Sequence, residues 1–425
     1  MSTNASRGLV FIFITLLIDI MGWGLIIPVM PKLLEEMKHV DASAASTYGS
    51  WLLIAYAATQ FLFAPLVGNL SDRYGRRPVL LASLVGFGID YIVLALSPTY
   101  EWLFVGRVIA GVTGASFTTA AAFIADISTD ENRTKNFGLI GAAFGVGFIL
   151  GPLLGGLLGS LGTRAPFYAA ALLCGLNFLY GFFSMPESLP KEKRREFQWK
   201  RANPFGSLKF LTRHRELAGL TVCFFLIYMA AQAVQGNWSF FTQHRFQWSE
   251  SMIGFSLAAI GLLVGVVQAG LTRVVNPKLG NEKSIYIGLG LYTLGLILFA
   301  FASETWMMFV FLIPYCLGGI CGPALQAVIA VHVPNNEQGE LQGALTSLMS
   351  LTTIFGPLVM TGLFRHFSKD LHHHYFPGAP FMAGAIFMLA STVIAFMVLT
   401  REKKEHPELR NAIAGPGEAG APPVH

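Results

Sequence analysis

Charge is scarce in this chain of 425 residues: Asp, Glu, Lys and Arg together make up 12%, about half the share of roughly 25% found in soluble domains. That deficit excludes the two or three water-soluble domains that the length alone would allow. Cysteine is scarcer still. Cys174, Cys223, Cys316 and Cys321 all fall in apolar stretches, where a thiol is a small buried hydrophobe, so no disulfide framework is implied. The chain has no GxxxxGKS loop, which removes ATP as the obvious energy source. It also has no nucleophile–base pair or metal-ligand cluster within the apolar stretches, so it does not read as an enzyme, and no cofactor is expected.

What is abundant is apolar surface, with 53% of residues hydrophobic. A bilayer core of about 30 Å needs about 20 residues rising 1.5 Å each, so apolar stretches of that length read as membrane spans. Twelve are present, over 8–30, 48–70, 78–96, 101–124, 137–158, 165–185, 217–241, 252–271, 284–302, 305–330, 341–364 and 379–399. The first is too long, and too poor in small residues near its end, to be a secretory signal, and reads as retained. The expected fold class is therefore an all-α membrane protein of twelve transmembrane helices.

Lys and Arg divide unevenly between alternate loops. With the N-terminus inside, 22 of the 29 fall in cytoplasmic segments and six, Lys32, Lys38, Arg164, Arg245, Arg365 and Lys369, fall outside. The positive-inside rule then places both termini in the cytoplasm. The net charge of +5 reports this topology and contact with anionic lipid headgroups, and gives no ground for a nucleic-acid partner.

The segment 186–216 carries nine basic residues and divides the spans six to six. It is either an amphipathic stretch on the inner leaflet, anchored by Phe197, Trp199, Phe205 and Phe210, or a solvated linker. The expected organisation is a first bundle over 1–185, a linker over 186–216, a second bundle over 217–400 and a disordered tail over 401–425. An offset of 205 superposes Gly75 on Gly280, Gly138 on Gly343, Gly151 on Gly356 and Pro152 on Pro357. Matching positions in matching spans indicate duplication into two pseudo-symmetric six-helix bundles, and transporters built from such repeats bind substrate near the midplane.

Three ionisable groups stand inside spans: Asp19, Asp90 and Arg107. Each costs about 2.5 to 3.5 kcal/mol near a helix centre and is a functional candidate by default. Asp19 lies roughly 16 Å from the inner end of its span, close to the midplane. Asp90 and Arg107 lie equally deep, roughly 9 Å from the outer ends of consecutive antiparallel spans, which makes them a candidate pair. An opposite charge keeps Asp90 ionised, whereas burial alone disfavours a charge on Asp19, so Asp19 is the better candidate for a proton that binds and leaves. The competing reading is a static Asp90–Arg107 bridge with Asp19 merely hydrogen-bonded.

Two strings carry a resemblance. In GNLSDRYGRRP, Gly68 and Gly75 allow a tight turn, Pro78 suits a first helical turn, and Asp72, Arg73, Arg76 and Arg77 supply charge. This string resembles the signature loop of the major facilitator superfamily at every defining position. The resemblance implies a charge network that locks the inner helix ends in one state, with Asp72 and Arg76 as members and Asp126 as the acidic partner of Arg76. In GFILGPLLGG, the residues Gly147, Gly151, Pro152, Gly155 and Gly156 let helices approach closely. This second string is similar to the span-five signature of the drug:proton antiporter branch, which implies export.

Further segments, LLIDIMGWGLIIPVMP around Asp19, GIDYIVLA around Asp90, LFVGRVIAGVTGAS around Arg107, GFSLAAIGLL from Gly254, PALQAV from Pro323 and LQGALTSL from Leu341, resemble those of tetracycline-efflux proteins. That resemblance implies that Asp19, Asp90 and Arg107 serve exchange of drug for protons. Such exporters typically carry a histidine in span eight and an aspartate in span nine, where this chain has Val264 and Tyr292. Proton coupling must then rest on the first half.

Uncharged polar and aromatic groups in the spans, Tyr56, Gln60, Asn177, Gln232, Gln235, Asn237, Trp238, Gln268 and Gln326, suit a cavity for an amphipathic organic molecule, although some can equally bond helix to helix. His372, His373 and His374 read as a solvated loop or a metal-binding tract. The expected function is a proton-driven exporter, working as a monomer in the inner membrane among its lipids. Its partners are a small-molecule substrate and protons. The alternatives are a transporter of an endogenous metabolite or siderophore, which Val264 and Tyr292 favour, and a membrane receptor that no longer transports.

Overall fold

The computed structural model describes residues 3–405 apart from 115, 130–131, 198–202, 205, 207, 215–216, 335–336 and 370–374. The histidine tract and the tail from 406 onward lie outside the described residues. Among the described residues every regular element is helical. Within the described residues twelve helices are long and apolar enough to cross a membrane: span 1 Gly8–Ile26, span 2 Ala42–Tyr74, span 3 Arg76–Leu96, span 4 Tyr100–Ile127, span 5 Asn136–Gly159, span 6 Ala165–Ser184, span 7 Ala218–Gln235, span 8 Glu250–Leu279, span 9 Asn281–Phe301, span 10 Thr305–Val331, span 11 Gln338–Phe367 and span 12 Ala379–Lys404. Helices are what such a composition must form, because hydrocarbon offers backbone N–H and C=O groups no partner.

Two spans end four or more residues short of the sequence expectation, at 26 in place of 30 and at 235 in place of 241. Span 1 stops at Ile26 and a short helix, Met30–Lys38, follows it, since Pro28 has no N–H to continue the ladder. Span 7 stops at Gln235, with Gly236 closing it through an N–H bond to the Gln232 carbonyl. Asn237 and Trp238 therefore lie beyond the span-7 helix, and Trp238 opens a separate helix, Trp238–Phe246. In the basic segment, Phe210 is 3% exposed with its ring 4.5 Å from His214. It is packed and has no face left for a leaflet. Trp199 and Phe205 lie outside the described residues.

The chain forms two compact units. The first comprises Met1–Pro204 together with Thr242–Gly261, and the second Phe205–Phe241 together with Leu262–His425. Assignment of residues 250–261 at the start of span 8 to the first unit differs from a simple cut in segment 186–216. The physical reason is a glycine seam described below.

In the first unit, span 1 packs on spans 5 and 6, span 2 on span 4, and span 3 on spans 4 and 6. A core of Phe11, Leu16, Leu80, Leu84, Phe123 and Ile124 fills the space between spans 1, 3 and 4. The second unit repeats the pattern, with span 7 on spans 11 and 12 and span 9 on spans 10 and 12. The interruptions repeat as well. Span 4 breaks at Gly114, and span 10 tightens into a 3₁₀ turn at Gly318–Ile320. Pro152 and Pro357 both sit inside helices.

The sharpest repeated feature is the turn that joins consecutive spans at Gly75 and Gly280, with φ of +106° and +79° and ψ near 160°. That region is essentially closed to residues with a Cβ. At Gly75 a Cβ would also stand 2.2 Å from Glu187 Oε2. Gly75→Ala is therefore expected to lower stability by about 1–3 kcal/mol. Gly141→Ala, where a Cβ meets open space within a helix, should leave stability unchanged or raise it slightly. Thermal unfolding of the purified protein in detergent checks the pair.

Candidate functional site

Spans 1 to 4 bring one group of predicted residues together. Asp90 of span 3 is fully buried, and the Arg107 Nη2 of span 4, 5% exposed, donates to its Oδ2. The equal-depth pairing read from the sequence is thus present. Gly106 makes room for the carboxylate, since a Cβ there would come within 2.8 Å of Asp90 Oδ1. Two aromatic faces flank the guanidinium, Tyr56 at 5.9 Å and Tyr91 at 6.0 Å, a distance at which the ring quadrupole attracts a cation.

Asp19 is half-buried on span 1 and lies within electrostatic reach of Tyr56, Tyr91 and Cys174. One turn further on, the missing Cβ of Gly22 leaves space for the Tyr91 hydroxyl, which stands 2.3 Å from where that atom would be. One turn earlier, Asn177 of span 6 donates to Thr15 Oγ1 at 3.1 Å. Gln60 uses both amide protons, donating to the Tyr56 hydroxyl at 3.1 Å and to the Gly114 carbonyl at 3.0 Å, where span 4 breaks. Asp19, Tyr56, Gln60, Asp90 and Arg107 therefore form one polar cluster inside the first unit. Tyr91 belongs to it and was missed by sequence reasoning; its place next to Asp90 in GIDYIVLA was the available signal.

The span-5 motif supports that cluster from behind. Cβ atoms at Gly147, Gly151 and Gly155 would meet Ile20, Met21 and Leu25 of span 1, at 2.8, 2.8 and 2.2 Å. This i, i+4, i+8 stripe seats span 5 against the residues that follow Asp19. The Pro152 ring joins this stripe, with its Cδ 2.7 Å from where a Cβ of Gly24 would stand, while Gly156 and the Pro152 carbonyl face Gly254 of span 8, whose absent Cβ would stand 2.3 Å from that oxygen.

The signature loop gathers charge. Arg76 pairs with Asp72 at 2.6 Å and with Asp126 at 3.1 Å, and it donates to Ser71 Oγ at 2.6 Å. Glu187, just past span 6, accepts from the backbone N–H groups of Arg76 and Arg77 at 2.9 and 3.3 Å. A carboxylate there satisfies the free donors at the start of span 3 and meets the positive end of the helix dipole. Ser188 donates to Asp126 at 3.0 Å, the Arg195 N–H donates to the Asp72 carbonyl at 3.1 Å, and Arg77 donates to the Phe182 carbonyl at 2.6 Å. Glu187 and Ser188 escaped sequence reasoning because they lie about 110 residues from the loop. Arg73 is exposed, with its guanidinium over the Tyr74 ring at 5.2 Å, and Gly68 has open space around it.

The second-half residues do not converge. Trp238 is 1% exposed and packs on Phe299 and Phe381, and Asn237 donates to the Met360 carbonyl. Both are built into the packed interior of the second unit. Gln232 is buried, donates to Gln235 Oε1 at 3.4 Å and fills the space left by Gly356. Gln235 and Gln268 are exposed and Gln326 is half-buried. Tyr292 packs edge-on against Tyr315 at 5.1 Å, and Val264 is half-buried. Among the described residues no cluster could hold a metal ion.

Twelve spans in two repeating units, with a buried ion pair and a charged turn in the first, define a secondary transporter. The family model of the Major Facilitator Superfamily matches residues 12–344 and 277–423, and the chain belongs to that superfamily. Within it, the chain is 45% identical over 361 residues to the class C tetracycline resistance protein of Escherichia coli, covering 85% of this chain and 90% of that protein. It is 42% identical to the class G tetracycline resistance protein of Vibrio anguillarum, covering 82% and 88%. Among solved structures it is similar to the human organic anion transporter MFSD10 (TETRAN), with a TM-score of 0.69 at 25% identity over 93% of this chain and 100% of that one.

Removing one partner of a buried pair strands the other charge and costs about 3–5 kcal/mol. Asp90→Asn and Arg107→Gln are each expected to reduce stability by that order. The double variant should recover at least half of either loss, as measured by thermal unfolding and by yield of folded protein.

Proposed function

We propose that this protein is a proton-coupled exporter of an amphipathic organic compound, oriented with both termini in the cytoplasm and driven by the proton gradient. The observation that carries the reading is the convergence of Asp19, the Asp90–Arg107 pair, Tyr56 and Gln60 within one unit. Two carboxylates at membrane depth, one held by a guanidinium and one on a nearby helix, suit uptake and release of a proton by Asp19. The tetracycline resistance proteins among the relatives support a drug as cargo. The glycine stripe of span 5 on the helix of Asp19 offers a path by which protonation shifts helix packing.

In this reading the Arg76 network with Asp72, Asp126 and Glu187 holds the cytoplasmic helix ends in one state. Arg107 orients Asp90, and Gln60 stabilises the break in span 4. The second half contributes walls and packing, since Tyr292 and Val264 supply no charge. A metabolite in place of a drug is the second reading, favoured by that uncharged pair.

The test is substrate accumulation in everted membrane vesicles with an acid interior, over a panel of tetracyclines, other amphipathic drugs and small metabolites. Asp19→Asn is expected to lower gradient-driven uptake at least tenfold at equal protein level, and Asp19→Glu to retain part of it. Undiminished uptake by Asp19→Asn would remove Asp19 from the coupling role. A panel response confined to metabolites would overturn the drug assignment.

A further inference from the structure

We propose that Lys32, Glu35, Gln243 and Glu250 form an outer latch that holds residues Thr242–Gly261 against the rest of the first unit and has to open in each transport cycle. The inference rests on the transporter reading. Residues Thr242–Gly261 belong to the first unit, yet the chain on both sides of them belongs to the second. In alternating access one bundle rocks against the other, so a segment held by one and continuous with the other has to part from its holder.

The contacts suit repeated parting. Gly156 and Gly254 face each other with an absent Cβ at Gly156 that would stand 3.0 Å from the Gly254 Cα, and Gly261 sits equally close to the Phe148 carbonyl. Backbone surfaces that meet without interlocking side chains separate without rotamer barriers. At the mouth of this seam, the short helix Met30–Lys38 buries Pro31, Leu33 and Leu34 and points Lys32 at the start of span 8 and Glu35 at the helix Trp238–Phe246 that precedes it. Lys32 Nζ stands 2.8 Å from Glu250 Oε1. Gln243 Nε2 donates to Glu35 Oε2 at 2.7 Å, and Ser251 donates to the Gly156 carbonyl at 3.2 Å.

The lysine of this pair stays charged under ordinary conditions. The hydrogen bond to Glu250 holds the Lys32 ammonium above the usual 10.5, with burial opposing and Glu36 and Glu35 reinforcing. A raised lysine contributes its full stabilisation below 10.5 and loses it only as pH rises through the folded value. Burial pushes the Glu35 carboxyl up, the bond from Gln243 pulls it down, and Asp41, Glu36 and Lys32 act on it more weakly. Half of the Lys32 side chain is exposed against 11% for Glu250, so water screens the pair from the lysine side and the tie can open there.

The test reads conformation and needs neither substrate nor gradient, so it can fail while the export reading stands, and the reverse. Leu257 lies on the face of span 8 that carries Gly254 and Gly261 and is buried. The four native cysteines are buried too, so a Leu257→Cys reporter can be followed in intact cells with a membrane-impermeant maleimide applied from outside. Lys32→Glu or Glu250→Lys is expected to raise the labelling rate about fivefold, and Lys32→Glu with Glu250→Lys to return it to within twofold of the reporter alone. Unchanged labelling in both single reversals, or a double reversal labelled as fast as either single, would overturn the latch. If a reversal does not reach the membrane, Lys32→Gln and Glu250→Gln, which cut the tie without adding repulsion, are judged by whether the rate rises.

Discussion

Hydrocarbon supplies no hydrogen bonds, and that single constraint organises the whole molecule. It forces every span into helix and requires that each interruption be answered from within the protein. The break in span 4 at Gly114 is answered by the Gln60 amide, and the local widening of span 8 at Val267–Leu271 by the Thr272 hydroxyl on the Gln268 carbonyl. The same constraint explains why Asp90 and Arg107 meet. Either charge alone in that interior would be far more costly than the pair.

The two halves show which features a duplicated bundle keeps. Gly75 and Gly280 retain the same left-handed backbone, because a tight connection between consecutive spans needs it whatever the side chains do. The charges around that turn are under no such geometric demand. Where the first half has Asp72, Arg76 and Asp126, the second has Pro277, Asn281 and Val331 at the same offset. The turn persists without its network. The contacts that remain tie the last span to its neighbours: Glu282, just past the turn, pairs with Lys403, and His332 shares a hydrogen bond with Glu402. The repeat thus conserves backbone solutions and lets polar chemistry diverge.

Much of the fold and part of the site were legible in the sequence. Span number follows from apolar length, since hydrocarbon thickness sets a minimum run that no soluble helix needs. Equal depth was enough to pair Asp90 with Arg107. The uncharged polar residues of the second half were not assignable in the same way: Trp238 and Gln235 are three residues apart, yet one is packed among aromatic rings and the other is exposed. Composition treats them alike, because an amide or indole in a span can face a cavity, a neighbouring helix or the core.

What the sequence by itself determined is the architecture and the location of charge: twelve helices in two sets of six, with the intramembrane ionisable groups confined to the first. These follow from run length and residue type, which need no partner to be read. Only the tertiary structure decided that Glu187 caps span 3, that Tyr91 joins the Asp19 cluster, that Gly156 abuts Gly254, and that Lys32 reaches Glu250 across more than two hundred residues. Each of these depends on which face of one helix meets which face of another. That choice is set by small-residue packing between spans, and lipid tails, as apolar as the side chains they touch, impose no periodic pattern from which it could be read.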